Sequence, residues 1–315
     1  MRQLLAGLMI LLLLPAGMVY GRGVGTSAAN FLKVGQGARP AGMGSAFVAL
    51  ADDINSLEWN PAGLSLLTPD YFDMSFQHSF WLADVEYEML SYAQYLGEAY
   101  GAGLMLMYRH MPDVDNNLSD EQPLQVYDFA GQLGYGFQIS NFSVGLNLKI
   151  VTTHLGTVDL TGEAVDLGML VHFMERKLNI GLVIQNLGPD VSNDSLPLGI
   201  RGGFGYKDLF GENKEHAFNA GLEINQPLDN KLNLNLGAEY WYMKTFALRL
   251  GFRQQLGGND LQTDNFLHRM TIGTSVVWAD LQLDYAFASF ADLGATHRLA
   301  LKLHYGPLTD ELSKF

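Results

Sequence analysis

An alternation of apolar and polar side chains with period two runs through most of this chain, from Phe72 to Tyr305. A clear example pairs one apolar set with one polar and small set: Phe142, Val144, Leu146, Leu148 and Ile150 against Ser143, Gly145, Asn147 and Lys149. Successive side chains of a β-strand point to opposite faces, so this period predicts strands with one apolar face. We count about fourteen such segments, joined alternately by short turns and longer loops, which is the pattern of antiparallel hairpins in series.

The composition indicates where the apolar face lies. Hydrophobic residues make up 48% of the chain and charged residues only 17%, yet the apolar residues are spread by alternation and form no long block after the first residues. A transmembrane antiparallel β-barrel combines these properties because its outer face meets lipid and its inner face does not. A soluble β-sandwich gives a similar alternation and is the alternative. The number of hairpins in series and the glycine-rich polar face favour the barrel.

The first 21 residues predict export. Met1, Arg2 and Gln3 precede an apolar run from Leu4 to Leu14 and then small residues, as in a secretory signal peptide. The alternative is a membrane anchor, but the run is shorter than the roughly 20 residues of a spanning helix. The predicted organisation is a signal peptide (1–21), an N-terminal segment (22–68), the barrel (69–305) and a short tail (306–315). The predicted location is the outer membrane of a Gram-negative-type bacterium.

Residues 22–68, which we call the hatch, differ from everything that follows them. They are rich in Gly and Ala, and the small residues from Ser45 to Ala51 predict a short helix that packs against a wall. Asn60, Pro61 and Gly63 predict a tight corner, in which Asn60 either caps backbone groups or belongs to a gate. We expect Asp52 and Asp53 to pair with arginines of the lumen and so to hold a small helical plug inside the barrel.

The polar face carries charges of both signs, including the lumen candidates Arg249, Arg253, Arg269 and Arg298. Charges that pair across a narrow wet lumen explain this better than catalysis. The eight histidines show no HExxH spacing, and there is no GxSxG or phosphate-binding motif, so we expect no catalytic residue, no cofactor and no metal site. The net charge of −14 argues against nucleic acid as a partner, whereas outer-membrane lipid is expected around the barrel.

Two separated motifs resemble one known family. The first comprises Phe31-Leu32-Lys33-Val34-Gly35, Gly37-Ala38-Arg39, Gly42-Met43-Gly44, Ala46-Phe47-Val48-Ala49, Ala51-Asp52-Asp53 and Trp59-Asn60-Pro61-Ala62-Gly63-Leu64. The second comprises Leu283-Asp284-Tyr285-Ala286-Phe287, Asp292-Leu293-Gly294 and Thr296-His297-Arg298. Together they resemble the PorV/PorQ family of outer-membrane proteins, a branch of the FadL-like barrels. The residues between the motifs match only in pattern.

This resemblance implies a function that the residues alone do not show. PorV/PorQ relatives serve type IX secretion. The implied partners are secreted cargo proteins with a C-terminal signal domain, the type IX translocon and attachment-complex proteins. The loops from Met111 to Leu124 and from Gly257 to Asn265 are the expected contact surface. The alternative implied by the FadL-like branch is passive transport of hydrophobic small molecules across the outer membrane, and a purely structural membrane protein is a third possibility.

Overall fold

The chain forms one closed antiparallel barrel of 14 strands. A computed structural model describes residues 25–97, 99–112, 123–256 and 266–306. Each strand pairs with its neighbours along the chain, and β1 closes the barrel against β14. The strands are β1 (Phe72–Phe80), β2 (Glu86–Gly97), β3 (Tyr100–His110), β4 (Val126–Ile139), β5 (Phe142–Leu155), β6 (Val158–Phe173), β7 (Leu178–Leu187), β8 (Gly199–Phe210), β9 (His216–Pro227), β10 (Asn233–Tyr242), β11 (Phe246–Gln255), β12 (Met270–Trp278), β13 (Leu281–Ser289) and β14 (Ala295–Tyr305). The predicted barrel is therefore confirmed, and the sandwich is excluded.

The two faces of the wall follow the alternation in the sequence. Apolar side chains such as Phe76, Leu148 and Leu283 are exposed on the outside, and polar ones such as Gln77, Asn147 and Asp284 are buried inside. This is the distribution of a barrel whose outer face meets lipid. Within the described ranges, no helix is long and apolar enough to cross a membrane.

The two ends of the barrel differ in their connections. At one end, which we call the short-turn end, hairpins such as β4–β5 turn through two residues. At the other, the long-loop end, connections such as 188–198 are longer. The apolar alternation in the sequence predicts a loop near Gly156 to Gly162. This prediction is wrong, because β5 continues to Leu155 and β6 begins at Val158, with Thr152 still paired to Thr161. The predicted contact loops lie mostly outside the described residues, at 113–122 and 257–265.

The hatch lies inside the barrel. Its described part contains two short helices, α1 (Ala38–Gly42) and α2 (Ser56–Trp59), and two 3₁₀ segments (Asn30–Lys33 and Pro61–Leu66). The helix predicted from Ser45 to Ala51 is wrong: this stretch is turn backbone. Ser45 has a φ of 67°, and the amides of Phe47 and Val48 each donate to the Glu223 carboxylate at 2.9 Å instead of to a helix.

Two rows of glycines make room for the hatch. Across β3 to β6 and again across β8 to β11, glycines on adjacent strands are directly paired, as Gly101, Gly136, Gly145 and Gly168 and as Gly205, Gly221, Gly237 and Gly251. We call these rows the glycine belts. A Cβ on Gly145 would lie 2.2 Å from the carbonyl carbon of Pro61, and one on Gly251 would lie 2.0 Å from the amide nitrogen of Gly44. The absence of side chains at the belts therefore lets the hatch backbone contact the wall.

The lumen has an apolar side and a charged side. An apolar cluster joins inward residues of β2 to β6, including Met89, Met105 and Val151, to Phe31 and Leu32 of the hatch. Val191 and Leu196 of the long β7–β8 connection fold inward onto the same cluster. More of the buried charged groups lie along β8 to β14 and on the hatch, although the buried Lys149–Asp166 ion pair joins β5 to β6. The hatch is thus held by burial of apolar surface on one side and by ion pairs on the other.

Candidate functional site

An ion-pair network, which we call the hatch lock, joins the hatch to the wall through Arg39. The α1 helix directs Arg39 between Glu239 of β10 and two carboxylates of its own segment. Its Nη2 donates to Glu239 Oε1 at 2.8 Å, and its Nη1 donates to Asp52 at 2.8 Å and to Asp53 at 3.1 Å. The Arg39 side chain is only 9% exposed. Little water screens these charges, so the Coulomb attraction within each pair is stronger than it would be on a surface.

Asp52 and Asp53 also reach the wall, but their partners there are lysines and not the predicted arginines. Lys207 of β8 lies 2.8 Å from Asp52, and Lys302 of β14 lies 3.7 Å from Asp53. Burial alone would raise the pKa of each carboxyl group. The nearby cations, Lys207 and Arg39 for Asp52 and Arg39 and Lys302 for Asp53, outweigh burial and hold both pKa values below their ordinary range. Both groups are therefore ionised at neutral pH.

Asn60, Pro61 and Gly63 form the predicted corner, with contacts that the sequence did not specify. The Asn60 side chain accepts from the Ala62 amide at 3.2 Å and donates to the carbonyls of Val48 at 2.9 Å and of Met169 in β6 at 3.2 Å. Gly63 is needed for space and not for a left-handed turn, since a Cβ there would lie 2.4 Å from a hatch carbonyl oxygen. Asn60 thus caps the corner and also ties it to the barrel wall.

The four predicted lumen arginines divide into two groups. Arg249 is fully buried and extends the hatch lock, because it donates to Glu239 at 2.6 Å and to Asp284 at 3.2 Å. Arg253, Arg269 and Arg298 lie further toward the long-loop end and form no ion pair with any carboxylate among the described residues. Only Arg249 is therefore paired with described carboxylates across the lumen, as expected for the charges of a narrow lumen.

Arg253, Arg269 and Arg298 line a cavity of about 630 Å³ at the long-loop end, which we call the vestibule. The hatch contributes Lys33, Val34, Gly35, Ser45 and Trp59 to its walls. The other lining residues are Trp81, Arg201, Asn225, Pro227, Asn230, Lys231, Asn233, Asn235, Arg253, Gln255, His268, Arg269, Ser289, Phe290, Ala291, Leu293 and Arg298. Among the described residues, no Asp or Glu lines this cavity. The vestibule is therefore strongly basic in a chain whose net charge is −14.

Two guanidinium groups of the vestibule rest on aromatic rings. Arg253 lies 4.6 Å from the centroid of Phe290, and Arg298 lies 5.4 Å from that of Trp81. The two rings contact each other edge to face at 5.1 Å. Arg298 is 5% exposed, and its Nε is buried without a hydrogen-bond acceptor. These ring contacts hold the two planar cations in place with donors still available to an anion.

No metal-binding cluster of histidines and carboxylates occurs among the described residues of the lumen; the one group with suitable spacing, which contains His78, Glu86 and Glu88, lies on the outer face. In the sequence, Arg39 is one residue of a motif, and nothing near it in the chain indicates a role in the lumen. Its partner Glu239 is 200 residues away, so no local pattern could have identified the pair.

Comparison with known families finds a partial match. The model described as "Uncharacterised protein family (UPF0164)" matches residues 18–164, a little under half of the chain. A UPF0164 protein of Treponema pallidum (strain Nichols) is 27% identical over 168 residues, which are 48% of this chain. The match spans only 42% of that relative. The first half of the chain is therefore similar to UPF0164 proteins.

Comparison with solved structures covers 86% of the chain. The toluene transporter TodX of Pseudomonas putida has a TM-score of 0.60 at 14% identity, over 86% of this chain and 96% of its own. The toluene transporter TbuX of Ralstonia pickettii has a TM-score of 0.59 at 13% identity, over 86% and 97% of the two chains. The CymD monoaromatic hydrocarbon channel gives 0.58 at 13% identity over the same shares. With its closed barrel of 14 strands around an N-terminal hatch, this chain has the fold of the FadL-like outer-membrane barrels.

Proposed function

We propose that this chain is a non-enzymatic outer-membrane barrel that binds a small anionic solute in the vestibule and admits it past a movable hatch. The observation that carries the proposal is the vestibule itself, a basic cavity that opens at the long-loop end and has hatch residues in its wall. In outer-membrane barrels the longer loops face the cell exterior, so the vestibule faces the medium.

The charge balance favours an anion over a neutral solute. Arg298 is nearly buried, and it lines the same cavity as Arg253. No described carboxylate forms an ion pair with either residue. A buried charge without a partner is costly, and a carboxylate or phosphate group between the two guanidinium groups would relieve that cost.

A hydrophobic solute fits the described lumen less well. TodX, TbuX and CymD carry names that refer to toluene or monoaromatic hydrocarbons, and the FadL-like alternative predicts such a ligand here. The apolar side of this lumen, however, is already filled by Phe31 and Leu32 of the hatch and by Val191 and Leu196 of the β7–β8 connection. Half of the residues that line the open volume are Lys, Arg, Asn or Gln, although apolar atoms contribute more of its surface than polar atoms do.

Passage requires the hatch to move, because the hatch fills the lumen below the vestibule. At the long-loop end, Asp229 of the β9–β10 connection accepts hydrogen bonds from Ser27 and from Lys33 of the hatch. The several ion pairs of the hatch lock lie nearer the short-turn end. At the long-loop end the Ala28 amide also donates to the Ser195 carbonyl at 3.0 Å, and the Asp229 contact is a side-chain tether. The absence of native cysteine allows this tether to be replaced by a disulfide without side reactions.

The experiment measures flux into proteoliposomes for citrate, for inorganic phosphate and for uncharged glucose. The lock variant is Ser27→Cys with Asp229→Cys. The matched control is Thr152→Cys with Thr161→Cys, an outward-facing pair on β5 and β6 whose hydroxyl oxygens lie 3.3 Å apart and which does not touch the hatch. We expect citrate or phosphate flux above glucose flux, its loss on oxidation of the lock variant, its recovery with reductant, and no loss in the control. Equal flux for glucose, or flux that survives oxidation of the lock variant, would refute the proposal.

Binding is measured separately by tryptophan fluorescence, since Trp59 and Trp81 line the vestibule. We expect citrate to change the emission, Arg298→Gln to weaken this response, and Arg176→Gln, at an exposed turn of the short-turn end, to leave it unchanged. If toluene binds and citrate does not, the anionic proposal is wrong and the hydrophobic alternative is supported.

A role in type IX secretion, predicted from the PorV/PorQ resemblance, is a second candidate. Exposed apolar residues at the long-loop end, with Phe266 58% and Leu293 72% exposed, favour a protein partner there. The test is cross-linking in the native host followed by a pull-down in mild detergent. Recovery of proteins that share a C-terminal signal domain, or of the translocon, supports this role, and recovery of the barrel alone contradicts it.

A further inference from the structure

Four metal-ligating side chains meet on the outer face of the barrel near the long-loop end. Strand register places His78 of β1 directly opposite Glu88 of β2, and Glu86 of β2 directly opposite His110 of β3. Alternation along these strands points all four outward, on the same face as the exposed side chains of Phe76 and Leu90. The four residues therefore form one patch across three adjacent strands.

The spacing of the ligand atoms suits a tetrahedral ion. His78 Nδ1 lies 3.3 Å from Glu88 Oε1. His110 Nε2 lies 3.3 Å from Glu86 Oε2 and 3.7 Å from Glu88 Oε1. Bonds of about 2.0–2.2 Å from zinc to nitrogen and oxygen require ligand atoms about 3.3–3.6 Å apart at the corners of a tetrahedron. These three edges are close to that requirement. The ligand atoms of His78, Glu86 and Glu88 all lie within 4.8 Å of one another, and His110, which is outside this group, moves inward to complete the tetrahedron.

One carboxylate oxygen of Glu88 lacks a hydrogen-bond donor among the described residues. Its Oε2 is buried and has no hydrogen-bond partner, although the side chain as a whole is 30% exposed. A buried carboxylate oxygen without a donor is costly, and a cation would satisfy it. His110 stacks against Tyr108, with ring centroids 5.6 Å apart, and His78 contacts the ring of Phe80 at 4.3 Å. These contacts orient both imidazoles toward the carboxylates.

We propose that His78, Glu86, Glu88 and His110 bind a divalent transition-metal ion, with Zn²⁺ as the best fit. Two imidazoles select zinc-like ions over Mg²⁺ and Ca²⁺, which prefer sites made entirely of oxygen. Two carboxylates with two neutral imidazoles carry a charge of −2, which the ion cancels on a surface that faces the lipid interface. All four ligands come from the protein, so the ion is structural and ties β1, which closes the barrel against β14, to β2 and β3.

This site is independent of the vestibule and of the hatch. The ligands lie on the opposite face of the wall from the lumen, so anion binding and zinc binding succeed or fail separately. The site also explains why four polar side chains occupy outward positions that, apart from Gln94, are otherwise apolar along these strands. Side-chain exposures between 26% and 38% leave the ion a path from solvent.

The test is a calorimetric titration of the purified, EDTA-treated and dialysed full-length barrel in detergent with ZnCl₂. The ligand variants are His110→Gln and Glu88→Gln. The matched control is His154→Gln, because His154 is an outward histidine that pairs with a single carboxylate, Asp159, at 2.6 Å. Retained heat-modifiable migration in SDS gels shows that each variant is folded. Loss even of an outer-shell partner typically weakens a metal site by 10–100-fold, so we expect at least about a tenfold loss of affinity in each ligand variant.

A titration with CoCl₂ adds a readout of geometry, because tetrahedral Co²⁺ absorbs visible light strongly. One equivalent bound by the wild type and by His154→Gln, with weaker binding and loss of the visible band in His110→Gln and Glu88→Gln, supports the proposal. The absence of saturable Zn²⁺ binding by the wild type overturns it, as does unchanged binding in the folded ligand variants. Displacement of Zn²⁺ by equimolar Mg²⁺ or Ca²⁺ overturns the choice of a transition metal.

Discussion

Replacement of Arg39 by Met tests whether the hatch lock holds the hatch in the lumen. Arg39 is the only described residue that contacts Glu239, Asp52 and Asp53 together, and removal of one partner from a buried ion pair costs about 3–5 kcal/mol. Glu239 keeps Arg249 as a partner, which favours the lower value. A loss of about 3 kcal/mol increases the population of the displaced hatch by roughly 100-fold.

The assay is chymotrypsin digestion of the folded barrel in detergent, with hatch fragments identified by mass spectrometry. Chymotrypsin is chosen because its sites, such as Phe31 and Phe47, survive the substitution. When reclosing is fast, the rate of cleavage follows the population of the open form, so the rate should rise by about the same 100-fold. The matched control is Arg176→Met, which removes an exposed arginine bonded to Gln138 at the short-turn end. If Arg39→Met is cleaved no faster than this control, the hatch does not depend on the lock.

Three further substitutions probe the hatch and its contact with the wall. Asp53→Ala removes the contacts with Arg39 and Lys302, and we expect faster chymotrypsin cleavage than in the wild type; unchanged resistance would show that this carboxylate does not hold the hatch. Gly145→Ala adds a methyl group 2.2 Å from the hatch backbone, so we expect it to destabilise the seated hatch by about 1–3 kcal/mol and to release it. The control Gly131→Ala, whose Cβ meets nothing closer than 3.6 Å, should not release the hatch. Equal cleavage rates in the two variants would contradict the close fit between the hatch and the wall. Burial raises the pKa of Glu58 from 4.5 to about 7, so ionisation of Glu58 destabilises the folded hatch progressively as pH rises from 4.5 to about 7. Glu58→Gln should therefore slow cleavage at pH 8 and have little effect at pH 4. An equal effect at both pH values would show that ionisation of Glu58 is not what destabilises the hatch.

The barrel was predictable because the pattern that identifies each strand lies within the sequence of that strand. Period-two alternation identifies each strand on its own, and antiparallel neighbours joined by short turns leave little freedom in strand order. The ends of strands were less predictable. The turn between β5 and β6 was missed because polar pairs such as His154 and Asp159 continue the ladder past the last apolar alternation.

The hatch was less predictable than the strands because its backbone is stabilised by the wall. Small residues from Ser45 to Ala51 suit a helix, but Glu223 offers a better acceptor for two of their amides. The same limit applies to the ion pairs. The sequence indicated that Asp52 and Asp53 hold the hatch, while the choice of Lys207 and Lys302 depends on strands that come much later in the chain.

The vestibule and the outer histidine cluster required the three-dimensional register. Arg253 and Arg298 were recognised as lumen residues, but their lack of acidic partners is visible only once every described neighbour has a position. His78 and His110 are 32 residues apart and share no motif spacing. They come together only because β2 lies between β1 and β3 and supplies both carboxylates.

The glycine belts have a consequence for which parts of this protein can change. Except at Gly168, the hatch atom nearest to each belt glycine belongs to the backbone, so the wall recognises the path of the hatch and not the identity of its side chains. Many hatch sequences can follow that path, whereas almost any side chain added to a belt would block it. In a library that randomises both segments, hatch positions outside the lock and the corner should therefore accept wide variation, and the belt positions should return to glycine.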